Sequence, residues 1–115
     1  MKSYTDLEQS LKLAEILPLE SADMYFDGFG RLPQGYAYTL IFPNSFEYDK
    51  PCWSLAALLD ILPDGTDIVK DKADTENEKY MCTVGIKDDI ISTFGKNPVD
   101  ACYEMVLKLH EQKLL

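Results

Sequence analysis

Histidine occurs once in this chain, at position 110, and that scarcity narrows the available chemistry at the outset. A thiol or hydroxyl nucleophile needs a base beside it, so any Cys-His pair must use His110. Cys102 precedes it on what reads as the same helix, a rise of about 12 Å, so these two cannot touch. Only Cys82 or Cys52 could reach it, and only through tertiary packing. The three cysteines include no Cys-x-x-Cys pair. Scattered through apolar stretches, they fit reduced, buried thiols better than a disulfide framework or a zinc site, and no metal or cofactor is expected. Basic residues are a minority too, 11 against 20 acidic, for a net charge of −9. The first fifty residues hold 4 basic and 8 acidic, the remainder 7 and 12, so the acidity is spread along the chain. Such a surface repels phosphate backbones and anionic lipid, which excludes direct nucleic-acid binding and membrane association as first expectations. No apolar run approaches the roughly 18 residues of a spanning helix, and the start lacks the basic-then-apolar order of a secretory signal. A soluble, cytoplasmic chain is predicted.

Several motifs fail for want of one residue. Gly28 and Gly30 have no third glycine at the dinucleotide spacing and open no helix, so they form no phosphate cradle. Asp71, Asp74, Glu76 and Glu78 alternate like oxygen ligands but lack the glycine of a calcium loop, and read as a solvated acidic stretch. The octamer Gln34 to Ile41 resembles that of RNA-recognition domains, with Tyr36 and Tyr38 as the base-stacking pair. Its first position is not basic, its last is not aromatic, and the chain opens with a helix where that fold needs a strand. Alternating aromatics on a half-buried strand are the better reading.

What is present is 115 residues, 46% hydrophobic, enough for a single domain spanning 1–115 with one core. The central stretch from Pro51 to Pro63 reads as a short helix, capped by Asp49 or Lys50, with Pro51 in its first turn. Leu55, Leu58, Leu59 and Leu62 share one face, while Trp53, Ala56 and Ala57 with Asp60 occupy the other. Before it, Thr5-Asp6-Leu7-Glu8 matches a capping box, opening a helix whose stripe is Leu7, Leu11, Ala14 and Leu17, with a Glu8–Lys12 pair outside and Pro18 as its end. Strands are expected at 23–27 and 36–42, joined as a hairpin, then at 67–70, 80–86 and 90–94. Leu62 to Gly65 suits a type I turn. Asn97 and Pro98 cap and open a last helix with Val99, Cys102, Val106 and Leu109 inward and Asp100, Glu104, Lys108 and Glu111 outward. The order αββαβββα predicts an α+β fold: one antiparallel sheet of about four to five strands with three helices, mainly on one face.

Three stretches, Ala22 to Tyr25, Pro51 to Leu59 and Asn97 to Leu109, resemble short uncharacterised proteins of prophages and mobile elements in gut Bacteroides-type bacteria. The resemblance spans about a third of the chain and brings no functional residue with it. It implies an accessory protein, for which binding is a commoner role than catalysis. The leading expectation is therefore a small acidic protein-binding module, contacting a protein partner or itself, with Trp53, Ala56 and Ala57 as the contact, since a Trp among small residues makes a good anchor. Two alternatives stand beside it: a DNA mimic using the acidic 64–78 region, and a small enzyme around His110 with Cys82, Cys52 or an Asp pair.

Overall fold

A computed structural model describes residues 2–26, 50–70 and 80–115, together with the backbone of 34–35. It is α+β. Helix α1 (Leu7–Ala14) and a 3-10 turn (Leu19–Ser21) lead into β1 (Met24–Phe26), β2 (Gln34–Gly35) and β3 (Lys50–Cys52); then come α2 (Leu55–Ile61), β4 (Asp67–Lys70), β5 (Tyr80–Ile86), β6 (Asp89–Gly95) and α3 (Pro98–Glu111).

The strands form two antiparallel sheets, ordered β2-β1-β3 and β4-β5-β6. This corrects the expectation of one sheet with four to five strands. In β3, Pro51 pairs with Tyr25 on the β1 side. Having no N–H, Pro51 suits an edge and offers no donor to a further strand, and among the described residues the first sheet ends at β3. The strand expected at 23–27 pairs antiparallel with Gln34 and Gly35, ahead of the 36–42 strand expected as its partner: Met24 pairs with Gly35 and Tyr25 with Gln34. The predicted strand 36–42, and with it the Tyr36/Tyr38 octamer, lies outside the described residues.

The central helix begins later than its sequence suggests. Lys50 and Pro51 are strand, and Ser54 is the N-cap, accepting from the Ala57 amide at 3.2 Å. Asp23 holds that cap in turn, accepting from the Ser54 amide at 2.9 Å and from its hydroxyl. Leu58 and Leu62 are buried as expected, while Leu59 stays 38% exposed. In the turn that follows, the Thr66 amide donates to Pro63 and Gly65 has φ +82°. That is the third position of a type II turn over residues 63–66, one residue later than the type I turn expected from Leu62 to Gly65.

The α1 capping box is shifted by one residue. Asp6 is the cap: it accepts from the Gln9 amide at 2.8 Å, and Gln9 accepts from the Asp6 amide at 3.1 Å. The buried face is Ser10 and Leu13, and Leu7 and Leu11 face water. Thr5 explains the shift. Its hydroxyl is fully buried, 2.8 Å from Ser10 Oγ, and accepts from the Trp53 amide at 3.1 Å. A serine whose hydroxyl is paired can sit inside, which a count of apolar positions does not register. The helix stops at Ala14, ahead of Pro18, and Lys12 reaches Glu15 at 3.9 Å, not Glu8.

The last helix matches its sequence signals. Asn97 caps it, Pro98 opens it, and Val99, Cys102, Val106 and Leu109 are buried together with Ala101 and Met105. It lies across β5 and β6 and touches α2, closing a core that also takes in Leu13, Trp53, Leu58, Cys82 and Val84. The junction between β6 and α3 is tight. A Cβ built on Gly95 would stand 2.5 Å from the Ala101 amide nitrogen and 2.8 Å from the Asp100 carbonyl carbon. These are backbone atoms and cannot swing away. Gly95→Ala should therefore lower stability by about 1–3 kcal/mol in urea unfolding. Gly85→Ala, at a position with open space around the site, should change it by less than about 0.5 kcal/mol.

Candidate functional site

Trp53, the residue expected to anchor a partner, lies inside. It is fully buried, Ala57 nearly so, and only Ala56 of the three faces solvent. Each polar group of Trp53 has a partner. Its amide donates to Thr5 Oγ1, its carbonyl accepts from the Thr5 amide at 2.9 Å, and its indole Nε1 donates to Ser21 Oγ at 3.0 Å. Residues 3–5 run antiparallel to residues 53–55, with the Leu55 amide donating to the Ser3 carbonyl at 3.1 Å. The helix that looked apolar on nearly all sides is thus covered on its Trp53 side by this chain's own N-terminal segment. Of the expected contact patch, Trp53 and Ala57 belong to the core and Ala56 alone stays at the surface.

The three thiols are free and fully buried. Burial pushes Cys52 up, against hydrogen bonds with Thr5 and Ser10 that pull it the other way. Cys82 on β5 and Cys102 on α3 face each other. Hydrogen bonding to Cys82, with burial, holds the Cys102 thiol well above its ordinary range, and the same bond lowers Cys82. No cation contributes to either, and the pair sits in an apolar core. His110 is exposed near the end of α3 and takes no part in these interactions. The expected Cys-His centre is not assembled among the described residues, and no cluster of three or more metal-ligating side chains occurs among them. Asp71, Asp74, Glu76 and Glu78, and with them most of the acidic region proposed as a DNA mimic, lie outside the described residues.

A polar knot does occur where α1 meets α3. Lys2 Nζ donates to Asp100 Oδ1 at 2.8 Å, to Gln9 Oε1 at 2.8 Å and to Asp6 Oδ2 at 3.1 Å. Gln9 Nε2 and Asn97 Nδ2 also donate to Asp100, at 2.9 and 3.0 Å. Asp100 was expected on the outer face of α3; its side chain is only 26% exposed. Burial alone would raise its carboxyl, but Lys2, Gln9 and Asn97 outweigh it and hold the group below its ordinary value. Lys2 is raised, burial opposing and Asp100 and Asp6 prevailing. This knot is structural, tying the N-terminal segment over Trp53.

The open surface lies at the far edge of the second sheet. On the face away from α3, Val69, Met81 and Phe94 stand in one cross-strand row, and Gly85 faces Ile90 in another. Val69, Phe94 and Ile90 are 45%, 41% and 76% exposed. The two sheet edges differ in kind. β4 is four residues with Asp67 and Lys70 at its ends, a short, charged edge of the sort that discourages pairing. β6 is seven residues, and its interior, Ile90 to Phe94, has no charge, glycine or proline. Among the described residues no strand pairs with its outer side. A groove runs beside that edge. One recess of about 600 Å³ lies between Thr93 and Phe94 of β6 and Glu104, Leu107, Lys108 and Glu111 of α3. A second, of about 410 Å³, lies between Ile90 and Ile91 and the end of the helix. There the Leu114 amide donates to the Leu109 carbonyl at 2.8 Å and the Lys113 amide to His110 at 3.0 Å, with Lys113 at φ +60°. This Schellman cap turns the chain so that Leu114 lines the second recess.

Compared with protein-family models, with curated proteins and with solved structures, the chain gives no match in any of the three. The functional reading therefore rests on its own geometry. Sequence reasoning placed β6 as a strand but missed it as a site. The available signal was an apolar run with acidic residues before it and a lysine after it.

The Asp100 knot carries a pH prediction. A depressed carboxyl contributes stability that is present above the unfolded value of about 4 and lost as pH falls through the folded value. Asp100→Asn should cost about 1 kcal/mol at pH 7, and urea unfolding at successively lower pH should show the gap from wild type closing below about pH 4. A gap unchanged into strong acid would contradict the ion pair.

Proposed function

We propose that this chain is a small acidic protein-binding module, working in a reducing cytoplasm, that engages a partner through the outer edge of β6 and the groove between β6 and α3. The observation that carries the reading is the seven-residue edge with no blocking residue in its interior, next to a recess whose walls mix Phe94 and Leu107 with Thr93, Glu104, Lys108 and Glu111. An extended segment laid along such an edge satisfies the strand's free N–H and C=O groups, while alternate side chains drop toward the groove. Main-chain hydrogen bonds then give affinity and the groove gives selectivity. Ile90 and Phe94 supply the apolar contact on the other face.

The buried thiols and the solvent-facing His110 favour binding over catalysis, because none of the three sulfurs can meet a substrate without opening the core. No described helix is long and apolar enough to cross a membrane. A protein partner also suits a surface of overall negative charge, which disfavours nucleic acid and anionic lipid.

A photo-crosslinking amino acid tests the reading directly. Placed at Phe94, it should give a covalent adduct with a protein chain in the host cell, and Ile90→Lys should abolish that adduct, since a lysine on an edge strand opposes pairing. Placed at Ala56, it should give none. Adducts from Ala56 alone, or from neither position, would overturn the β6 reading.

A further inference from the structure

We propose that the strand added to β6 is the β6 of a second copy, antiparallel to the first and centred on Ser92, so that two three-stranded sheets become one of six with both α3 helices on the same side. This rests on the reading of β6 as the contact edge and names its occupant. The sequence from Asp88 to Lys96 is self-complementary in one register. With Ser92 opposite Ser92, Ile90 faces Phe94 of the second copy, and Asp88, in the turn before β6, comes beside Lys96, one residue past the strand's end. Both apolar residues are exposed in the single chain, and both lie on the face away from α3. Moving the centre to Ile91 sets Asp88 against Phe94 and Asp89 against Thr93; moving it to Thr93 sets Ile90 against Lys96. Neither neighbour pairs the charges.

A net charge of −9 opposes the approach of two copies, so the local balance matters more than the total. From 87 to 113 the lysines are 87, 96, 108 and 113, and the acids are Asp88, Asp89, Glu104 and Glu111, with Asp100 already held by Lys2. The edge is thus near neutral, and distant charge is screened over about 8 Å at physiological ionic strength. On α3, Lys108 lines the recess between Glu104 and Glu111.

Sedimentation equilibrium of the purified chain from about 5 to 500 μM tests this; standard interfaces give dissociation constants within or below that span. The expected result is a mass rising to twice 13.1 kDa. Ile90→Lys should remain a monomer. Asp88→Lys and Lys96→Asp should each weaken pairing about tenfold, and the double variant should restore it. Unchanged far-ultraviolet circular dichroism would show that these exposed substitutions leave the fold intact. A monomer throughout, or a dimer indifferent to all four variants, overturns the proposal. If the chain is monomeric while Phe94 still crosslinks to a different protein, the edge reading stands and self-pairing falls; if it dimerises with no Phe94 adduct, both fall.

Discussion

The burial of Trp53 is the constraint from which the rest of the arrangement follows. A Trp side chain removes about 150–250 Å² from water, roughly 4–6 kcal/mol at about 25 cal/mol per Å², provided its polar groups are satisfied. Thr5 satisfies both backbone groups and Ser21 the indole. Each partner fixes something further. Thr5 must be inside, so the cap of α1 moves to Asp6 and the helix turns Ser10 and Leu13 inward. Asp23 follows one turn of chain after Ser21 and holds Ser54, which starts α2. The N-terminal segment, laid across residues 53–55, is fastened at its other end by Lys2 on Asp100, beside the cap of α3. One buried indole thus couples the start of all three helices.

That coupling also shows why the sequence was legible in some places and not in others. Local signals sufficed where the determinants were local. Asn97 and Pro98 opened α3, the alternation from Tyr80 to Ile86 marked β5, and the scattered cysteines were rightly read as buried. They failed where a distant partner decided. Thr5 has the chemistry of a cap, but position 53 claims its hydroxyl. Ser10 looks solvent-facing until Thr5 meets it, and Trp53 looks like an anchor until residues 3–5 cover it. Asp100 falls on the polar side of a helical wheel, yet Lys2 lies against it from almost a full chain length away. Sheet order is non-local in the same sense. The strands β4 to β6 were legible; that β6 would be an edge was not.

The functional surface is best understood as what remains once the core has taken its anchors. With Trp53, Leu13 and Leu58 inside, the large exposed apolar side chains that stand in strand register among the described residues are Val69, Ile90 and Phe94 on one sheet. The same sheet shows how pairing is restrained on one side and left open on the other. Its β4 edge is short and bracketed by charges, and Pro51 removes a donor from the edge of the first sheet. Among the described residues, only β6 presents a long backbone edge without such a device, and α3 stands beside it as the wall of a groove. The buried thiols and the Asp100 knot, by contrast, are satisfied internally and belong to the scaffold.

Amide hydrogen exchange resolved by residue, on dilute and concentrated protein side by side, tests the central claim that β6 pairs edge to edge with the β6 of a second copy. The account predicts that amides between Ile90 and Phe94 that do not bond β5 exchange freely when dilute and slow when concentrated, while α2 is unchanged. Concentration-independent exchange throughout β6, or new protection confined to Ala56–Asp60, would contradict it.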